Sequence, residues 1–441
     1  MSRTLRELAY EKQEADTQKR DAYEAVLEQV RAAISKDHAD TLAQSIAQKS
    51  AAEAVKRLIG EYVTAHQLRV GDLSAQQLAD RLYGDMAGFG FLDKYIADPE
   101  IEEINGNSWR DIEIVTRSGW HKAPERFLSP RHAEDTLRKM VRLGGLVLDG
   151  TNPIVDSYIT EGVRISAMIP PVTDRRSGAV FSIRRQRMAK VTKQQLMEWR
   201  TATPEMLDFL SLCVNHGVSI GFAGKTGSGK TTDISYLLGT ADQNKRIYTI
   251  EETRELDLFS EDAQGNAQNR VIHTCIRPSD LPNADVDMND LLRKAMRFSP
   301  DIIAVAEMRG AEAMTAQEAA RTGHVVVTSL HANSARKAYG RILSMCQMSD
   351  THISTDILMG FVSEAFPVIV FTKQMPDGTR RFMEIVEATG VRDGTVQACT
   401  LFRFEDGQFV HLGGISDSLT MTLLENGAPA ASVGRFKVVR S

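Results

Sequence analysis

Over the first sixty residues apolar side chains recur every three or four positions, at Leu5, Leu8, Val26, Val30, Ile34, Leu42, Ile46, Val55 and Leu58. That spacing lines them along one side of a helix. Residues 1–59 contain neither Gly nor Pro and are rich in Ala, Glu, Gln, Lys and Arg, so two or three helices ending near Gly60 are predicted. Such helices would form a solvated cap, a short coiled coil or a docking arm, and their pattern does not choose among these.

From about Gly71 to Gln186 the pattern shortens. The β-rich runs Asp111–Thr116, Arg164–Ile169 and Ala179–Ile183 flank a helical stretch, Pro130–Leu143, that is closed by Gly144-Gly145. This reads as an α+β domain of about a hundred residues. The basic stretch Ile183-Arg184-Arg185-Gln186-Arg187 and its sequel, Met188–Thr203, lead to the next unit. From Pro204 to Phe371 buried-type strands (Val218–Ala223, Arg246–Ile250, Ile302–Ala306, Val325–Ser329) alternate with helical patterns, as in a parallel α/β sheet. Pro367–Phe371 and Arg381–Ala388 read as strands of a small C-terminal addition, and residues 417–441 give no pattern to interpret. The expected division is a helical segment over 1–70, an α+β domain over 71–190, a linker over 191–203 and an α/β domain over 204–441.

Composition narrows the class. A chain of 441 residues exceeds one ordinary core, which agrees with several domains. The formal net charge of −5 argues against nucleic-acid phosphate as the main partner. Cys213, Cys275, Cys346 and Cys399 are widely spaced and form no C-x-x-C pair, so they read as thiols in a reducing compartment. No apolar run approaches 18 residues, and the first twenty residues are charged and lack an apolar core. A cytoplasmic location is expected.

The chemistry begins at Gly224-Lys225-Thr226-Gly227-Ser228-Gly229-Lys230-Thr231, between an apolar strand and a helix. Glycines free the backbone N–H groups to close around a phosphate, and the helix N-terminus adds favourable field. Lys230 would reach the β- and γ-phosphates of a nucleotide, Thr231 would hold Mg²⁺, and Thr226, Gly227, Ser228, Gly229 and Thr232 would complete the cradle begun at Gly224; the loop alone does not separate an ATPase from a kinase or a GTPase. Three further segments refine this. Thr249-Ile250-Glu251-Glu252 ends a strand in acid, and Glu252 could order Mg²⁺-bound or attacking water; a solvated acidic turn is the other reading. Asp301–Val305 is a buried-type strand followed by Ala306-Glu307, where an acid is costly unless it is used. Glu307 would polarise the attacking water. His324 and His331 flank one short strand, and either could be structural or a γ-phosphate and subunit contact. No third ligand lies near enough for zinc.

These segments, in this order, resemble the type II/type IV secretion ATPase superfamily, with its Walker A loop, acidic box, Walker B strand ending in Glu, and histidine box. Asn152–Tyr158, Gly162–Pro171, Ser182–Arg185, Pro376–Arg380 and Glu384–Glu387 are similar to the CpaF-like branch, and the resemblance spans roughly residues 85–405. It implies a RecA-like P-loop NTPase core preceded by an α+β, PAS-like N-terminal domain, assembled as a hexameric ring. Arg164 and Arg184 or Arg185 match the positions from which the N-terminal domain supplies arginines to the phosphates. Arg293 and Arg297 match arginines that reach a neighbouring subunit. Two departures stand out: Ala306 where the family usually has Gly, and Glu252 where it usually has Asp, and either could slow hydrolysis without abolishing nucleotide binding. The tetracysteine insertions of the type II branch are absent.

The expected function is an ATP-hydrolysing motor that works on an inner-membrane platform protein, most readily in assembling a tight-adherence pilus. A conjugative or effector-exporting type IV secretion ATPase is the runner-up. A RecA-like nucleic-acid translocase would need basic and aromatic strand-binding loops, and three Trp with a negative charge offer little of that. A nucleotide-responsive scaffold with little turnover is the rival outside enzymology.

Overall fold

The computed structural model describes residues 5–44, 49–116, 119–160, 162–185, 190–277 and 284–437, with side chains from residue 21 onward except residues 39, 42–44 and 49. Leu5, Leu8, Leu42 and Ile46 of the expected apolar stripe therefore lie outside the described side chains, as do Gln186 and Arg187 of the basic stretch. The chain divides into two compact units, Met1–Gln186 and Arg187–Ser441.

The first unit opens with helices α1 (Leu5–Gln44), kinked at His38, α2 (Lys49–Ala65) and α3 (Ala75–Ala87). Tyr23, Leu27, Val30 and Ile34 of α1 pack on Val55, Ile59 and Val63 of α2 and on Leu78 and Leu82 of α3. The stripe is therefore a packed core. Helix α2 also runs straight through Gly60, where the sequence predicted an end. A mid-helix glycine costs only about 1 kcal/mol, which the flanking Ile59 and Val63, both buried, offset.

After α4 (Leu92–Ala97) come strands β1 (Ile101–Ser108), β2 (Asp111–Thr116) and β3 (Gly119–Lys122), helix α5 (Pro130–Leu143), and strands β4 (Ile154–Thr160), β5 (Val163–Met168) and β6 (Val180–Arg185). They form one antiparallel sheet in the order β3-β2-β1-β6-β5-β4. Helix α5 starts where Ser129 caps the His132 N–H and Pro130 occupies the first turn. Its face Ala133, Leu137, Met140 and Val141 covers one side of the sheet, meeting Ile104, Ile112, Ile165 and Ile183.

The second unit contains α6 (Lys193–Glu198), α7 (Pro204–Asn215), β7 (Ile220–Gly224), α8 (Lys230–Gly239), β8 (Arg246–Glu251), β9 (Arg270–Cys275), α9 (Met288–Ala295), β10 (Ile302–Val305), α10 (Glu312–Arg321), β11 (Val325–Leu330), α11 (Ala335–Cys346) and α12 (Thr355–Ala365). It ends with β12 (Val368–Gln374), β13 (Arg380–Arg392), β14 (Thr395–Glu405), β15 (Gln408–His411), α13 (Asp417–Glu425) and α14 (Ala430–Gly434). Nine strands form a single sheet, β15-β14-β13-β12-β7-β11-β10-β8-β9, parallel from β12 to β9. The parallel strands are apolar throughout because helices cover both faces. One strand, β11, separates the loop-bearing β7 from β10, the RecA-like order.

The C-terminal addition continues the core sheet: β12 is buried and pairs directly with β7, and β13 to β15 extend the sheet from it. Residues 417–425 and 430–434, which gave no pattern, form α13 and α14, and Leu419, Leu423 and Val433 join the core.

Candidate functional site

Parallel register decides what gathers at the carboxyl edge of this sheet. Ala223 pairs with Leu330, Val305 with Thr328, and Val305 with Ile250. Continued two residues past Val305 and Ile250, this register sets Glu307 and Glu252 level with Leu330, one position before His331 and Gly224, so the four emerge side by side. This edge is where open α/β sheets bind ligands.

The loop itself needs its glycines. Gly227 and Gly229 have φ of 77° and 100°, in the left-handed region, and Gly229 is the N-cap of α8. Lys230 is buried in the first turn of α8, with Nζ donating to the carbonyls of Gly224 (3.2 Å) and Lys225 (3.1 Å). Burial lowers the pKa of this ammonium, against the pull of Glu307. Thr231 and Thr232 follow, half-buried, and Thr226 is exposed on the loop.

Glu307 stands opposite. Its Oε1 lies 2.8 Å from His331 Nε2, and its Oε2 accepts from Arg309 Nη2 at 2.9 Å. Arg309 Nη1 also donates to Glu252 Oε1 at 2.8 Å, so one guanidinium joins both acids. His331 Nδ1 meets the Gly224 carbonyl at 3.1 Å. Burial pushes the Glu307 carboxyl up, but the bond from Arg309 and the charges of Arg309, His331 and Lys230 outweigh it and hold the group below its ordinary value. The result is an ionised carboxylate beside a buried lysine at the mouth of a phosphate loop.

Residues 86–393 match the model of the family described as Type II/IV secretion system protein. The chain belongs to that family. An uncharacterised protein of Methanocaldococcus jannaschii is 30% identical over 261 residues, which cover 58% of this chain and 45% of that protein. The chain thus spans less than half of that relative. A conjugal transfer protein, TrbB, of Rhizobium radiobacter is 27% identical over 302 residues, covering 67% of this chain and 87% of TrbB. Among solved structures, the ATPase DotB of Legionella pneumophila is similar with a TM-score of 0.48 and 19% identity, over 78% of this chain and 85% of that one.

Within this secretion-family chain, the remaining expected site residues fall in different places. His324 is a correction to the γ-phosphate reading. It precedes β11 at the amino end of the sheet and bonds the Pro300 carbonyl at 2.9 Å, and strand direction keeps it from the loop. Arg293, in the last turn of α9, and Arg297, just after it, are exposed and outside the cluster. In the first unit, Arg164 and Arg184 are register partners on β5 and β6 and share the sheet face with Asp156, whose Oδ2 lies 3.4 Å from Arg164 Nη2. Arg185 pairs with buried Val163 and belongs to the opposite face.

Four residues of the site carried no assignment from sequence. Arg309 joins the two acids. Glu251, fully buried, accepts the N–H groups of Glu255 (2.8 Å) and Leu256 (3.0 Å) and so fixes the turn that presents Glu252. Burial pushes its carboxyl up to about 7. Thr372 and Arg380 approach the loop from the C-terminal hairpin. An acid repeated at a strand end was a usable signal for Glu251; Pro376–Arg380 stood out only by its family resemblance, and nothing in its spacing tied it to a loop 150 residues upstream.

The site also fits Mg²⁺ delivered with a nucleotide. The Arg309 guanidinium between Glu252 and Glu307 marks a position that favours positive charge, and Thr231 follows Lys230 in the first turn of α8. Among the described residues no group of three or more His, Cys, Asp and Glu could hold a metal unaided, so phosphate oxygens would supply the remaining ligands.

Proposed function

We propose that this chain binds ATP at the Gly224–Thr231 loop and hydrolyses it, as one subunit of a motor for a pilus or secretion machine. The observation that carries the proposal is the ionised Glu307, bonded by Arg309 and 2.8 Å from His331 Nε2, across from the buried Lys230. Lys230 would turn from its two loop carbonyls to the β- and γ-phosphates once they fill the cradle, which places its charge where charge develops. Glu307 orients a water and takes its proton as the new O–P bond forms and the bond to the β-phosphate oxygen breaks, with ADP leaving. Mg²⁺, held by Thr231 and by water ordered on Glu252, would neutralise charge on the β- and γ-oxygens. Arg164 and Arg184, which share one sheet face of the first unit, and Arg185 on the other face are the arginines it offers for phosphate.

The family supports a homo-oligomer, which we take as a hexameric ring with Arg293 and Arg297 at subunit contacts. That ring would act on an inner-membrane platform protein at the cytoplasmic face. No described helix is long and apolar enough to cross a membrane, so such a role would need docking on another protein. Tight-adherence pilus assembly is the machine we propose first. Conjugation is the second reading, favoured by the match over 87% of a conjugal transfer protein.

Turnover and nucleotide binding by three proteins test this reading. Wild type should hydrolyse ATP slowly. Lys230→Ala should lose turnover and most affinity, while Glu307→Gln should lose turnover by about a hundredfold or more and keep its affinity. Equal turnover in wild type and Glu307→Gln would overturn the assignment and leave a nucleotide-responsive scaffold. Stimulation of about tenfold by single-stranded DNA would point to a translocase instead.

A further inference from the structure

Neither the loop nor the linker into the second unit stands alone: both are held by one hairpin. Strands β12 and β13 meet at a tight turn, in which the Met375 N–H donates to the Thr379 carbonyl at 2.7 Å and Gly378 has φ of 82°. Because β12 pairs with β7 in parallel, with Thr372 opposite Gly224, the tip of the hairpin projects beyond the carboxyl edge and over the outside of the phosphate loop.

The hairpin touches the loop at two points. Thr372, buried, donates from Oγ1 to Ser228 Oγ at 2.9 Å. Arg380 donates from Nε to the Gly227 carbonyl at 2.8 Å. Its stem also lies against Gly229, since a Cβ there would stand 2.9 Å from Arg380 Cδ. Carbonyls of a phosphate loop face away from the cradle when its N–H groups face inward, so Arg380 holds the loop from behind. In the first turn of α8, Asp233 is buried with Oδ2 lacking a hydrogen-bond partner, and burial pushes its carboxyl well up against the opposing charges of Arg380 and Lys230.

The next residue of the strand faces the other way. Arg381 donates from Nη1 to the Arg200 carbonyl at 2.7 Å, and the Phe382 N–H donates to the Thr201 carbonyl at 2.8 Å. Arg200 and Thr201 follow α6 near the start of the second unit, within the stretch 191–203 expected as a linker. Successive strand residues point to opposite faces, so adjacent arginines can hold the loop and the linker with one rigid piece of backbone.

We propose that the β12–β13 hairpin couples the two: Arg380 is a positioning residue for the phosphate loop, and Arg381 passes the loop's nucleotide state to the linker. This rests on the nucleotide reading of the loop. An occupied loop has its Gly227 and Ser228 N–H groups committed to phosphate, which fixes the carbonyl and hydroxyl that Arg380 and Thr372 hold. The hairpin is then steadied, and with it the carbonyls of Arg200 and Thr201.

The test uses the full chain, a non-hydrolysable ATP analogue with Mg²⁺, and two readouts: analogue affinity and hydrogen exchange of residues 193–203. Arg380→Met keeps the stem on Gly229 and removes the N–H donor; Arg381→Met does the same at the linker. In wild type, exchange over 193–203 should slow when the analogue binds. Arg380→Met should weaken binding about tenfold and, at saturating analogue, should lose the slowing. Arg381→Met should bind within about twofold of wild type and still lose the slowing. Unchanged affinity in Arg380→Met, or slowing retained in Arg381→Met, overturns the proposal. Lys230→Ala separates the two levels of failure. If wild type binds the analogue and Lys230→Ala does not, the nucleotide reading stands whatever the arginine variants do; if wild type does not bind, both fall.

Discussion

Strand β11 has a histidine at each end, and the two do different things. At its carboxyl end His331 lies between the Gly224 carbonyl and the Glu307 carboxylate, inside a network of Arg309, Glu252 and Lys230. At its amino end His324 bonds the Pro300 carbonyl, in a corner where Arg246 and Asp301 tie β8 to β10 through the Arg246 N–H (2.7 Å to Asp301 Oδ2). Only six residues separate them, about 20 Å of extended chain. In a parallel sheet every strand delivers its last residue to one edge and its first to the other, so the carboxyl edge collects chemistry and the amino edge collects ties. Closeness in sequence is therefore a poor guide to a shared site, and strand direction is a good one.

The largest effect that could break this comparison is in turnover. His331→Ala frees Glu307 Oε1 and unpins Gly224, and ATP hydrolysis should fall by about tenfold to a hundredfold. His324→Ala should leave turnover within about twofold and cost about 1 kcal/mol of stability for its lost hydrogen bond, read from urea midpoints. If the two variants lose turnover alike, the division of the sheet into a chemical edge and a structural edge is wrong.

Much of the carboxyl edge was legible because its signals are local. The loop's glycines, the apolar run before Glu307 and the doubled acid at Glu251-Glu252 each lie within one short segment, and segment chemistry survives folding. The family assignment rests on those segments in order, and the match over residues 86–393 bears it out. What escaped was non-local. Arg380 reaches Gly227 across 153 positions and Thr372 reaches Ser228 across 144, distances over which no periodicity speaks. Gly60 misled for a different reason: its neighbours Ile59 and Val63 have a core to enter, and that overrides a weak propensity. The polar strand β9 was missed because its residues are only half-buried at the sheet's edge and lack an apolar run.

A second effect distinguishes two acids at the same edge. Glu307 is held below the ordinary carboxylate range, so turnover should persist toward acid pH until that group protonates. Glu251 is pushed the other way by burial, from 4.5 to about 7. A carboxyl whose folded pKa is raised contributes its full stability below the unfolded value and loses it as pH rises through the folded value. Stability should therefore decline between pH 4.5 and about 7, by about 2–3 kcal/mol. Glu251→Gln keeps an oxygen for the Glu255 and Leu256 N–H groups and cannot ionise. It should be more stable than wild type by about 3 kcal/mol at pH 8 and equal to it below about pH 4, in urea melts at both. Parallel pH curves for the two proteins would mean that Glu251 folds in its charged form.

The smallest expected effect concerns the methyl group of Ala306, where the resemblance leads one to expect glycine. Both sides of this peptide are fixed: its N–H donates to the Ile250 carbonyl at 3.0 Å, and its carbonyl accepts from Ser329 Oγ at 2.7 Å. Backbone held by two strands gives the next side chain the same starting point whether or not a methyl group is present. The orientation of Glu307 is then set by Arg309 and His331 rather than by its neighbour. Ala306→Gly should change turnover by less than about twofold and cost about 0.5–1 kcal/mol through the greater freedom of the unfolded chain. A rise of tenfold would show the methyl group to be a brake on hydrolysis. The same substitution in a Ser329→Ala background, where one of the two holds on the peptide is gone, should have the larger consequence for turnover, because only then can the residue before Glu307 move.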